Sequence, residues 1–131
     1  MLEYMLDTDT VIWALRGQGT VGTRLLEHRP SQLCISSITL AELRFGAEAK
    51  GSRKLRGLID TFATGVEVLP FDGAAADRFG PVATAPSKRG EPIGTFDTLI
   101  AAHALSLGLI LVTNNTKHFQ RVPGLKTTNW I

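Results

Sequence analysis

Acidic and hydroxyl side chains recur just after apolar runs in this chain. Asp7 and Asp9 follow Tyr4-Met5-Leu6, while Ser36, Ser37 and Glu42 follow Leu33-Cys34-Ile35, and Thr113, Asn114 and Asn115 follow Leu109-Ile110-Leu111-Val112. Asp97 opens an alanine-rich apolar stretch that runs to Leu107. Oxygen donors dominate this set, with neither a paired cysteine nor a His-x-x-x-His spacing beside them, so zinc is disfavoured and a hard cation such as Mg²⁺ or Mn²⁺ suits. Carboxylates crowded together repel, and each loses water as it is enclosed, so their coexistence calls for positive charge. A divalent cation supplies that charge, binds phosphate oxygen, lowers the pKa of a bound water and stabilises the charge that develops in phosphodiester cleavage. Hydrolysis of a nucleic-acid backbone is the chemistry these residue types favour.

The elements that must gather them follow from the hydrophobic pattern. Short apolar runs at Tyr4-Leu6, Leu33-Ile35, Val66-Leu69 and Leu109-Thr113 read as buried strands, and a last strand is expected within Lys126 to Trp130. Between them, helical spacing covers Val11 to Leu15, Val21 to Leu26, Ile38 to Lys50, Leu55 to Phe62, Ala74 to Phe79 behind an Asp72 cap, and Thr95 to Leu107. Pro81 and Pro86 oppose a continuous helix beyond Phe79, and Ser87 to Pro92 reads as an exposed loop. Alternating strands and helices with continuous apolar runs predict an α/β fold with a parallel sheet covered on both faces. Ligands of such sheets bind outside the carboxyl ends of the strands, the edge on which these acids fall.

Each acid also has an ordinary structural explanation. Asp7 or Asp9 fits the N-cap of the first helix, with capping preferred for Asp9. Thr39-Leu40-Ala41-Glu42 matches a capping box, and Asp97 follows a plausible Thr95 cap. Convergence on one sheet edge favours chemistry over caps.

Length and composition bound the rest. At 131 residues the chain suits one domain over residues 1–131, and 44% hydrophobic with 20% charged residues predicts a packed core. Fourteen Lys and Arg against twelve Asp and Glu leave a formal +2, too slight to signal a polyanion-coating protein. The single Cys34 lies in an apolar run, which fits a reducing cytoplasmic setting, and neither a signal peptide nor a membrane span is expected.

Four segments together, Leu6-Asp7-Thr8-Asp9, Ser36 to Leu43, Ile93 to His103 and Leu111 to Phe119, resemble the PIN-domain ribonucleases, and more narrowly the VapC-type toxins of VapBC toxin-antitoxin pairs. The similarity extends to Val122-Pro123-Gly124-Leu125 and Trp130, so it spans almost the whole chain. It implies a three-layer α/β/α domain around a parallel sheet of about five strands, and carries Asp7, Glu42 and Asp97 over as the catalytic acids. Asp7 and Asp97 would hold the metal directly, and Glu42 would be a further ligand through water or the group that orients the attacking water. The family's fourth acidic position is often Asp but falls here on Asn115, whose amide oxygen can still serve. One negative charge fewer favours a single Mg²⁺ or Mn²⁺ completed by water and phosphate. The resemblance further implies RNA as substrate with tRNA foremost, a homodimer, and silencing by a VapB-type antitoxin. The apolar helices around Trp13 and Phe45 are candidate docking surfaces for that antitoxin.

Ser37, Thr113 and Lys117 are expected as substrate-binding residues, with backbone satisfaction or a solvated corner as the competing reading. His118 and Arg121 are weighed the same way. His103 reads as a core or surface histidine rather than a base, and the run Lys50, Arg53, Lys54 and Arg56 as a solvated face that also steers RNA. Two rivals remain. A phosphoacceptor signalling domain fares poorly, because Pro70-Phe71 separate Asp72 from the third strand and no Lys follows Lys126. A catalytically weak PIN module that chiefly binds antitoxin or RNA is kept alive by Asn115.

Overall fold

The computed structural model describes residues 1–88, 90 and 93–131, with the backbone alone for 86–88. Among these residues the sheet has five strands, β1 (Tyr4–Leu6), β2 (Leu33–Ser36), β3 (Glu67–Leu69), β4 (Ile110–Val112) and β5 (Thr127–Thr128). They pair in parallel in the order β3-β2-β1-β4-β5. The chain therefore builds outward from β1 in one direction and then crosses over to build in the other. The switch falls between β1 and β4, whose carboxyl ends carry Asp7 and Thr113.

Strand residues alternate between two apolar layers, as the period of two requires. Met5, Cys34 and Leu111 enter one layer with Ile100, Ala101 and Ala104 of α6 (Thr95–Leu107) and Val82 of α5 (Gly73–Lys88). Leu6, Ile35 and Val112 enter the other, with Val11 of α1 (Thr8–Leu15), Leu43 of α3 (Ser37–Lys50) and Ile59 of α4 (Arg53–Gly65). The result is the three-layer α/β/α arrangement. β2 is buried at all four positions, which is why it reads as a bare apolar run.

Helix α5 departs from the sequence reading, because it continues through Pro81 and Pro86 to Lys88. Its buried Val82 and half-buried Phe79 pack in one layer with α6, and this packing outweighs the hydrogen bonds that the two prolines remove. Arg89, Glu91 and Pro92 of the predicted loop lie outside the described residues. Two elements went unpredicted, the short helix α7 (Thr116–Phe119) and a separate 3₁₀ turn over Pro30–Gln32 that follows α2 (Val21–Leu26). The last strand is cut to two residues, and the chain then closes on β1. There Trp130 stacks on His28 at 4.6 Å between ring centroids, meets Tyr4 at 5.0 Å, and its carbonyl accepts from the Thr20 hydroxyl at 2.7 Å. No described helix is long and apolar enough to cross a membrane.

Candidate metal centre at the sheet's carboxyl edge

Asp7 is both the first residue past β1 and the N-cap of α1. Its Oδ1 accepts from the Thr10 backbone at 2.8 Å, while its own N–H donates to Val112 in β4 at 3.0 Å. The side chain is only 4% exposed. Burial pushes its pKa up to about 6, against the pull of hydrogen bonds from Thr113 and Thr10, and the charge of Asp9 adds to the rise. Asp9 does not cap α1. It sits exposed in the first turn, two places past the cap position that Asp7 holds.

Asp97 lies in the first turn of α6, whose start, like the carboxyl ends of the strands, faces this edge. Its carboxyl is likewise pushed up to about 6, first by burial and then by the charges of Glu42 and Asp9. Asp9 thus acts on both Asp7 and Asp97, and Glu42 on Asp97, which places the four acids in one electrostatic neighbourhood.

Glu42 does not close a capping box. Helix α3 begins earlier than its sequence implies, with Ser36 as N-cap accepting from Ile38 N–H at 3.1 Å, so Glu42 falls in the second turn. Its Oε1 instead accepts from the Thr8 hydroxyl at 2.7 Å across the α1–α3 boundary. Thr95 is not a cap either. Gly94 occupies that position, and no side chain among the described residues caps α6.

The remaining predicted residues divide. Thr113 is fully buried, its hydroxyl donating to Asp7 and accepting the Asn115 N–H at 3.0 Å. Ser37 accepts the Phe71 N–H at 3.0 Å, which ties the start of α3 to the loop after β3. Asn115 is exposed at the N-cap of α7 and its side chain makes no capping bond, so its amide oxygen remains available at the edge. Lys117 is exposed on α7.

Three contacts escaped the sequence reading. One is Thr8 on Glu42. A second is His118, whose Nε2 stands 3.4 Å from Asp97 Oδ2, buried but without a directed hydrogen bond among the described residues. Burial and the charge of Arg121 lower the His118 pKa, so at neutral pH the imidazole is uncharged and this approach is no ion pair. The third is His103 Nδ1, 2.8 Å from Ser36 Oγ. Sequence spacing carries no signal for contacts between residues this far apart.

No group of three His, Cys, Asp or Glu among the described residues is close enough to cage a metal ion by itself. The chemistry of the edge nonetheless suits a hard divalent cation. Asp7 and Asp97 are held above the usual carboxylate range by burial and by neighbouring negative charge, and a cation would offset both causes. The donors this edge offers are the carboxylates of Asp7, Asp97 and Glu42, with the amide of Asn115 at the N-cap of α7 just after β4.

Residues 4–125 match the PIN domain family model. The chain is 42% identical over 132 residues to the tRNA(fMet)-specific endonuclease VapC of Shigella flexneri, with 99% of each chain covered. It is 39% identical to Ribonuclease VapC2 of Haemophilus influenzae, with both chains wholly covered. Among solved structures, the DNA-bound VapBC of Salmonella typhimurium superposes with a TM-score of 0.93 at 37% identity and complete coverage of both chains. VapBC2 of Rickettsia felis, bound to a promoter DNA fragment, superposes at 0.90 and 32% identity, with 99% of this chain and 100% of that chain covered. On sequence and fold alike, the chain belongs to the PIN-domain family and is of the VapC type.

Proposed function

We propose that this protein is a divalent-metal-dependent endoribonuclease toxin that cleaves RNA, with tRNA as its substrate, and that a VapB-type antitoxin silences it. The observation that carries the reading is the gathering of acids beyond the carboxyl end of β1: Asp7 caps α1 at the switch point, and the charge of Asp9 acts on both Asp7 and Asp97, with Glu42 acting on Asp97. Support for the substrate comes from relatives in Shigella flexneri and Salmonella typhimurium that are named as tRNA(fMet)-specific endonucleases and align over 99% of this chain. Support for the partner comes from structural neighbours solved as VapBC complexes.

Asp7 and Asp97 would hold the ion with Asn115, and the bound ion would supply phosphate polarisation and an acidified water. Thr113 and the Thr10 N–H fix the Asp7 carboxylate in one orientation, so little reorganisation is needed when charge develops. Glu42 is aimed by Thr8 and would orient, and take a proton from, the attacking water. Lys117 extends the edge with a positive charge for a neighbouring phosphate.

Exposed Phe45 and Phe96 form, with Ala41 and Glu42, an apolar cleft of about 370 Å³ beside the acids. Together with exposed Leu26 and Leu107 they are apolar surface suited to the antitoxin and to a second copy of the chain in a homodimer. Trp13 is half-buried and packs by Gly19 and Ile131.

The test is cleavage of purified total tRNA by the isolated protein across a Mg²⁺ titration. Cleavage that rises with metal and stops with a chelator supports the reading. Equal cleavage in chelator sinks it.

A further inference from the structure

We propose that Thr8 is a positioning residue for Glu42, an inference that rests on the nuclease reading above. The Thr8 hydroxyl is 2.7 Å from Glu42 Oε1 and 3.5 Å from the Thr39 hydroxyl. A hydroxyl carries one proton, and a carboxylate oxygen only accepts, so the Thr8 proton is directed to Glu42. The fully buried Thr39 hydroxyl lies behind Thr8 at the outer limit of hydrogen bonding, so the short bond to Glu42 is the one that takes the proton.

The geometry explains why the Thr8–Glu42 bond matters. Glu42 is half-buried on the second turn of α3, and its three side-chain torsions give the carboxylate a wide choice of places. A hydrogen bond to a charged acceptor is among the stronger ones and selects one of these. Thr8 itself is held because its neighbour Asp7 caps α1, so the residue that begins the metal edge and the residue that aims Glu42 share one turn of backbone. The two functions separate by side chain: Asp7 and Asp97 would carry the ion, and Thr8 would carry only the orientation of Glu42.

Thr8→Val keeps the shape and removes the donor, while Thr8→Ser keeps the donor. The experiment compares both with wild type and Asp7→Asn in steady-state tRNA cleavage with Mg²⁺, in Mn²⁺ affinity by calorimetry, and in crystal structures. Thr8→Val is expected to lower kcat by about tenfold to hundredfold with KM little changed. Thr8→Ser should stay within about threefold of wild type. Mn²⁺ affinity should hold in both, and the Glu42 carboxylate should leave its place only in Thr8→Val.

Unchanged kcat in Thr8→Val, equal losses in the Val and Ser variants, or a Glu42 that does not move would each overturn the proposal. A fall in Mn²⁺ affinity matching the fall in kcat would also overturn it, because Thr8 would then act through the metal residues. Full activity in Asp7→Asn marks a different failure, that of the nuclease reading, and removes this role with it.

Discussion

His103 Nδ1 meets the Ser36 hydroxyl at 2.8 Å, and this contact fastens the helix that carries Asp97 to the N-cap of the helix that carries Glu42. Ser36 Oγ accepts from Ile38 N–H and also hydrogen-bonds the ring nitrogen, so one hydroxyl both starts α3 and ties it to α6. Burial lowers the His103 pKa, against an opposite pull from Asp72, and so favours the neutral ring. Ser36→Ala should therefore cost both a cap and a buried partner, about 2–3 kcal/mol in urea unfolding. A loss below about 0.5 kcal/mol would mean that the tie contributes nothing.

Asp7 should make the metal-free protein less stable as pH rises. Its carboxyl titrates near the ordinary 3.8 when unfolded and at about 6 when folded. Between those values the folded chain binds more protons, so its contribution is fully present at low pH and is lost as pH climbs through 6. Asp7→Asn keeps an acceptor for Thr10 and removes the charge. In chelator at neutral pH this variant should be more stable than wild type by roughly 1–3 kcal/mol, and the gap should close at acid pH. His103 contributes with the opposite sign, losing stability as pH falls below the ordinary histidine range, and the difference between the two proteins cancels it. A gap that widens on acidification would contradict the assigned burial.

Mn²⁺ should raise the melting temperature of wild type above pH 6 and have little effect on Asp7→Asn. Binding to the folded state alone stabilises it by mass action, and the ion competes with the protons that Asp7 and Asp97 hold up to about 6. Thermal scans with and without Mn²⁺ on both sides of that pH check this. Equal shifts in both proteins would place the ion elsewhere.

Gly19→Ala should destabilise the fold by roughly 1–3 kcal/mol. Gly19 has φ +63°, and a Cβ there would stand 3.2 Å from the Trp13 ring and 3.3 Å from Ile131. Denaturant midpoints measure the cost. A neutral result would show that this turn and the chain terminus yield freely.

Much of this architecture was legible in the chain because burial on two faces writes itself as short apolar runs. Leu33-Cys34-Ile35 and Leu109 to Val112 name their strands for that reason, and the polar residues after them mark the ligand edge. The caps were harder. Ser36 and Ser37 are both capable of starting α3, and only the packed structure shows that Ser36 does, which moves Glu42 out of a capping box. Pro81 and Pro86 misled because local propensity ignores the α5–α6 contact that holds the helix together. At the site, residue type singled out Asp7, Glu42 and Asp97, but Thr8, His103 and His118 act through partners far away in sequence, which only coordinates reveal.

Asn115→Asp separates an enzyme from a module that mainly binds. Restoring the fourth carboxylate should tighten Mg²⁺ binding and change tRNA cleavage by less than about tenfold, because Asp7, Glu42 and Asp97 are already in place. Cleavage that appears only in the variant would make the native protein chiefly a binder.

The most direct check is cleavage of purified tRNA by Asp7→Asn beside wild type at saturating Mg²⁺, with folding of both confirmed by circular dichroism. Loss of cleavage by about a thousandfold or more in a folded variant is the predicted result. Cleavage at the wild-type rate would contradict the assignment of the acidic edge as the place where RNA is cut.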